Sequence, residues 1–160
     1  MRLRLNIEDV DVQLKISRWR KRTTPASCDD NWTMTELFLQ SNYLKYNING
    51  EILTSDEVED LIHTLSQFLS GELSQQYSVE FIEPDLEFTL YSAEKEVDID
   101  MDFIIHFWAN GALSSNRFSM TFGFKEIEAL FIYLQTVTGA LNSNDTSVQQ
   151  LMCMGILLPE

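Results

Sequence analysis

Between Tyr77 and Trp108 the chain reads YSVEFIEPDLEFTLYSAEKEVDIDMDFIIHFW, and apolar residues fall at alternate positions through most of it. Val79 and Phe81 flank Glu80. After Pro84 the register restarts, with Leu86, Phe88 and Leu90 on one side and Asp85, Glu87 and Thr89 on the other. Val97, Ile99, Met101, Phe103, Ile105 and Phe107 then alternate without interruption. A period of two specifies β-strands with one face in a core and one in water. The water face of the last strand carries Glu94, Glu96, Asp98, Asp100 and Asp102 at the same spacing.

That line of acids has an energetic consequence. Alternate residues on a strand lie about 7 Å apart. In water each adjacent pair of carboxylates repels by roughly 0.6 kcal/mol before salt screening. Neighbouring strands have few cations to offset this, because the second half of the chain holds only Lys95, Arg117 and Lys125. A cationic partner would relieve the repulsion. The expected docking surface is therefore Glu94, Glu96, Asp98, Asp100 and Asp102, with Glu83, Asp85 and Glu87 beside it.

The rest of the chain supplies further strands and helices. Leu3, Leu5 and Ile7 alternate, and Val10, Val12, Leu14 and Ile16 alternate with the opposite parity, so a hairpin or a bulge is expected at Glu8-Asp9. The basic run Arg18-Trp19-Arg20-Lys21-Arg22 reads as a solvated loop rather than a phosphate or membrane contact. Trp32 and Met34, then Leu37 and Leu39, mark a strand whose parity changes at Glu36. Tyr43, Leu44, Tyr46 and Ile48 mark another, with Asn49-Gly50 as a turn at its end.

The spacing predicts a helix from Thr54 to Gly71. Thr54 and Glu57 match a capping box, and Asp56 and Glu57 suit the positive end of the helix dipole. Val58, Leu61, Ile62, Leu65, Phe68 and Leu69 make one apolar stripe, and Gly71 is placed for a left-handed C-cap. Ala109-Asn110-Gly111 is a turn, Ala112 to Asn116 a loop, and Arg117 to Phe124 a strand. A second helix runs from Lys125 to Leu141, with Ile127, Leu130, Phe131, Leu134 and Val137 as its stripe. Asn142 to Gln150 reads as a polar linker, and the apolar tail LMCMGILLPE is expected to dock on the same domain.

The fold class is thus α+β: a largely antiparallel sheet of about six to eight strands with two amphipathic helices on one face. Residues 1–141 form a single domain, and residues 142–160 are the linker and tail.

Charge narrows the partners. The net charge is −14, but residues 1–22 hold seven Lys/Arg against three acids, whereas residues 23–160 hold four against 22. Such a surface opposes nucleic-acid binding, which needs Lys and Arg to neutralise phosphates. It favours encounter with a basic protein. No apolar run approaches the ~18 residues of a membrane span, and MRLRLNIEDVD lacks a signal-peptide core. Cys28 and Cys153 sit in no metal or redox spacing, which fits the reducing cytoplasm.

Nothing in the residues specifies catalysis. His63 and His106 lie in no metal-pair spacing. Cys28 beside Asp29 and Asp30 has the wrong electrostatics for a thiolate. No nucleophile elbow or glycine-rich phosphate loop is present. No cofactor and no metal are expected. A small metal-dependent hydrolase using the strand carboxylates, and a homo-oligomeric interaction protein (a homodimer, for instance), stand as alternatives.

The order of features resembles the WapI-type family of bacterial immunity proteins. The residues that carry the resemblance are DNWTMTELFLQSNY from Asp30, TSDEVEDLIHTLSQFLSG from Thr54, VEFIEPDLEFTL from Val79 and RFSMTFGFKEIEALFIYLQ from Arg117. The resemblance covers about residues 1–141. It implies a cytoplasmic, non-enzymatic protein that neutralises a toxin by binding it, and a basic, nuclease-type toxin domain as the partner. An acidic inhibitor suits such a toxin, because its carboxylates stand where phosphates would sit.

Overall fold

A computed structural model describes residues 1–21, 31–73, 76–92, 99–109 and 112–159. The polar loop at Pro25, Cys28, the Asn110-Gly111 turn and the acids Glu94, Glu96 and Asp98 lie outside the described residues. The strands are β1 (Arg2–Ile7), β2 (Val10–Ser17), β3 (Met34–Gln40), β4 (Lys45–Gly50), β5 (Tyr77–Glu80), β6 (Leu86–Ser92), β7 (Ile99–Ala109), β8 (Ala112–Phe122) and β9 (Leu157–Leu158). The helices are α1 (Ser55–Leu69), α2 (Phe124–Val137) and α3 (Thr146–Cys153). The architecture is α+β and every strand pairing is antiparallel, as the alternation implied.

The strands divide into two sheets, one ordered β4-β3-β2-β1-β9 and the other β5-β6-β7-β8. Periodicity states which face of a strand is dry, but not which strands share a sheet. Each sheet is one-sided. In the first, Leu3, Leu5, Val12, Leu14, Leu37 and Leu39 face inward, and in the second Leu86, Phe88, Leu90, Met101, Phe103, Ile105, Met120 and Phe122 do. Both inner faces join the apolar stripes of α1 and α2 in one core cluster. Phe81, Phe88, Phe103 and Phe122 form a chain of ring contacts across the second sheet, with centroids 4.9–5.8 Å apart. Tyr46 on β4 meets Phe107 on β7 edge-on at 4.9 Å and links the two sheets.

Local chemistry explains the element boundaries. Glu8 and Asp9 join β1 to β2 with φ of 51° and 66°. Two residues at positive φ are what a tight hairpin needs to match strand twist. Helix α1 has the full capping box: Thr54 Oγ1 accepts from Glu57 N at 3.2 Å, and Thr54 N donates to Glu57 Oε2 at 2.7 Å. At its other end Gly71 takes φ 76°, and Gly71 N and Glu72 N donate to Phe68 O and Gln67 O. Helix α2 starts at Phe124 and ends at Val137, so Phe124 belongs to the helix rather than to the strand before it.

Several segments depart from the sequence pattern for identifiable reasons. The strand around Met34 keeps one phase throughout: Thr33 and Thr35 are buried in line with Leu37 and Leu39. Thr33 can go inside because its hydroxyl donates to Leu53 O at 2.8 Å. Asn49 and Gly50 are paired within β4, opposite Glu36 and Thr35, and do not form a turn. The turn lies instead at 41–44, where Ser41 Oγ accepts from Tyr43 N and Leu44 N. Ala112 to Asn116 belong to β8 rather than to a loop. Trp19 packs half-buried against the core, so the basic run is not wholly solvated. The stretch read as a polar linker carries α3, which buries Val148, and β9 then pairs with β1 through Leu3↔Leu157.

Tyr133 ties α2 to the first sheet. It is fully buried, and its hydroxyl oxygen accepts from Ile16 N at 2.6 Å, beyond the last β1–β2 pair. Tyr133→Phe leaves that buried amide without its partner and is expected to lower stability by about 1–3 kcal/mol in denaturant unfolding. In the hairpin, Glu8→Asn with Asp9→Gly relieves the positive-φ cost and is expected to raise stability by about 1 kcal/mol in the same measurement.

Candidate functional site

The two sheets turn very different outer faces to water. On the first sheet, charges compensate one another. Arg2 pairs with Glu36 at 3.0 Å, Arg4 with Asp11 at 2.8 Å, and Lys15 with Glu36 at 3.7 Å. Partial burial raises the Asp11 carboxyl, but hydrogen bonds from Arg4 and Gln13 and the Arg4 charge outweigh it and leave the pKa below the ordinary value.

The outer face of the second sheet is built differently. Strand β6 contributes Glu87, Thr89 and Tyr91, and β7 contributes Asp102, Ile104 and His106. Strand β8 adds Arg117, Ser119 and Thr121 in register with His106, Ile104 and Asp102. Strand β5 sets Glu80 directly opposite Glu87. Like charges facing each other across two strands are unfavourable. Asp102 is held by hydroxyls: Thr121 Oγ1 donates to Oδ1 at 2.8 Å, and Tyr91 Oη donates to Oδ2 at 3.2 Å. Glu87 Oε2 lies 3.2 Å from His106 Nε2. Hydroxyl donors fix the direction of a carboxylate without cancelling its charge. Ile104, only 7% exposed and outside the core cluster, gives this polar face a small apolar centre.

The acidity of the face registers on Tyr91. Desolvation, the hydrogen bond to Asp102 and the charges of Asp102 and Glu87 hold its phenol above the ordinary tyrosine value, while Arg117 pulls the other way. Tyr46 is also raised, first by burial and then by the nearby Asp85.

The anticipated residues therefore separate into groups. Asp102 and Glu87 share the outer face of the second sheet. Asp100 pairs with Tyr91 in the backbone register of β7 and β6. Glu83 and Asp85 lie in the turn before β6, where the Asp85 carbonyl accepts from His106 N at 2.9 Å. They are not part of the strand line. His106 shares the face of Asp102 by the period of β7 itself, whereas Glu80, Tyr91 and Thr121 were not singled out by pattern, because only the cross-strand register brings them to the acids. Among the described residues no group of three or more His, Cys, Asp or Glu is arranged to hold a metal ion. No helix among them is long and apolar enough to cross a membrane.

The α+β scaffold thus turns one face of paired charges and one face bearing Glu80, Glu87 and Asp102 to water. The chain belongs to the immunity protein WapI-like family, whose model matches residues 2–141. That span runs from β1 through α2 and leaves α3 and β9 outside it. Comparison with curated proteins and with solved structures finds no match.

Removing the charge of Asp102 tests the coupling on this face. In Asp102→Asn the Tyr91 phenol is expected to titrate lower, toward the ordinary value of about 10, as read from phenolate absorbance with Tyr91→Phe as the reference. A raised tyrosine pKa contributes stability that is complete below the ordinary value and is lost as pH climbs through the folded value. The difference between wild type and variant therefore belongs to the alkaline range.

Proposed function

We propose that this protein neutralises a toxin by binding it directly, and that the outer face of the β5–β8 sheet is the docking surface. Family membership supports the toxin as partner. One observation carries the choice of face: Glu80 and Glu87 stand opposed across β5 and β6, with only His106 at 3.2 Å from Glu87, while the acids of the other sheet are paired with Arg2, Arg4 and Lys15. A face that carries self-repulsion when alone gains most from a cationic surface. The reading takes the toxin domain as basic, as one acting on nucleic acid must be to hold phosphate. It takes Asp102 and Glu87 as contacts, and the expectation from the sequence adds Asp100 together with Glu94, Glu96 and Asp98, the last three of which lie outside the described residues. The protein acts by occlusion, without catalysis of its own and without a cofactor, and does so in the cytoplasm.

The test uses the toxin domain encoded beside the immunity protein. In the double variant Glu87→Lys/Asp102→Lys, binding is expected to weaken by about 100-fold or more, the scale of losing desolvated charge contacts. Far-ultraviolet circular dichroism and the melting transition establish that the variant is folded. Gln13→Lys, on the outer face of the other sheet, is expected to bind as wild type does. Unchanged affinity in the folded double variant would overturn the choice of face.

A further inference from the structure

The second sheet ends at β5 in an edge that borders a groove. Strand β5 pairs with β6 on one side, and no described strand pairs with its other side. Alternate residues of such a strand turn their N–H and C=O groups outward, ready to pair with another chain. A groove of about 460 Å³ runs along it. One wall is the whole of β5, Tyr77 to Glu80, and the other is a single face of α1: Asp60, His63, Thr64 and Gln67, at helical spacings of three and four.

Natural edge strands are guarded by short length, charged side chains, proline, a bulge or a covering element. Strand β5 is four residues long and carries Glu80, but it has no lysine or proline and pairs with β6 without a break in register. Large apolar side chains lie exposed at its start and just beyond its end: Tyr77 is 47% and Ile82 68% exposed. An open strand edge, a flanking helix and exposed apolar anchors are the elements by which domains take up an extended peptide as an added strand.

We infer that this groove binds an extended, cationic segment of the partner, which adds to β5 as a fifth strand of the sheet. The inference rests on the reading that the protein binds a basic partner, and it names how that partner engages. Charge selects the occupant. Asp60 and Glu80 line the two walls, so lysine or arginine on the incoming strand meets a carboxylate on either side. A second copy of this chain is disfavoured, because edge-to-edge pairing would bring two such acidic walls together in molecules that each carry a net −14. Main-chain pairing supplies affinity, and the alternating side chains supply the preference for positive charge.

The experiment needs no toxin. The full-length protein, labelled with ¹⁵N, is titrated with a peptide of about six residues alternating lysine and valine, and with its glutamate-valine counterpart. The lysine peptide at about 1 mM is expected to shift the amide resonances of β5 and of the groove-facing turn positions of α1, and to bind at least about tenfold tighter than the glutamate peptide. Thr64→Trp fills the groove and is expected to abolish the shifts. Glu80→Lys is expected to remove the tenfold preference without unfolding the chain, as the amide spectrum itself reports. Absence of shifts at β5, shifts confined to another surface, or equal binding of the two peptides would overturn the inference. Failure here, with the Glu87→Lys/Asp102→Lys effect on toxin binding intact, would leave the docking face standing; loss of that effect would instead remove the reading beneath it.

Discussion

Two sheets with one dry face each must share a core, and nearly everything else follows from that constraint. Neither sheet can bury its inner leucines and phenylalanines alone, so both close onto α1 and α2 in one apolar cluster. At roughly 25 cal/mol per Å² of buried apolar surface, this shared burial is the dominant favourable term. It also commits every second residue of each strand to water. The outer faces are thereby released from packing demands and are free to differ. One became a lattice of Arg and Lys ion pairs, and the other holds Asp102 by hydroxyls and Glu87 by a histidine.

Glu57 shows how a local device came to serve the whole. Its Oε2 accepts from Thr54 N and completes the capping box of α1. Its Oε1 accepts from Ile82 N at 2.6 Å, just past the end of β5. One carboxylate therefore closes a helix end and pins the β5–β6 connection against it. The separation of α1 from β5, which creates the groove, is set at that end by this contact. A helix start signal and a tertiary clamp are the same side chain.

Much of this was legible in the sequence, and the remainder was illegible for definite reasons. Alternation located β1, β2, β6 and β7, because a half-buried strand writes its period directly into the residues. The Thr54–Glu57 box and Gly71 located both ends of α1, because capping is local chemistry. Thr33 was missed as an inward residue, since a threonine reads as polar until a carbonyl such as Leu53 O is found for it; Thr35 is buried beside it with its hydroxyl unpartnered among the described residues. The Ser-Ser-Asn run looked like a loop; it sits in the register break between Trp108↔Leu113 and His106↔Arg117, inside a strand that pairs with β7 on either side of it. The candidate site was half visible. Asp102 and Glu87 stood out as acids at period two, but the Tyr91–Asp102–Thr121 contacts and the facing of Glu80 with Glu87 depend on register between strands, which no local pattern records. Glu83 and Asp85 shared the parity of Glu87 and yet belong to a turn.

The pairing of β9 with β1 has a temporal side. Leu3 waits for Leu157 across almost the full described chain. At the usual 5–20 residues per second, roughly 10–30 seconds of translation separate the two. Throughout that interval the outer edge of β1 stands bare, and the fifth strand of the sheet is added late in synthesis. Until β9 arrives, that edge is one on which another chain could pair.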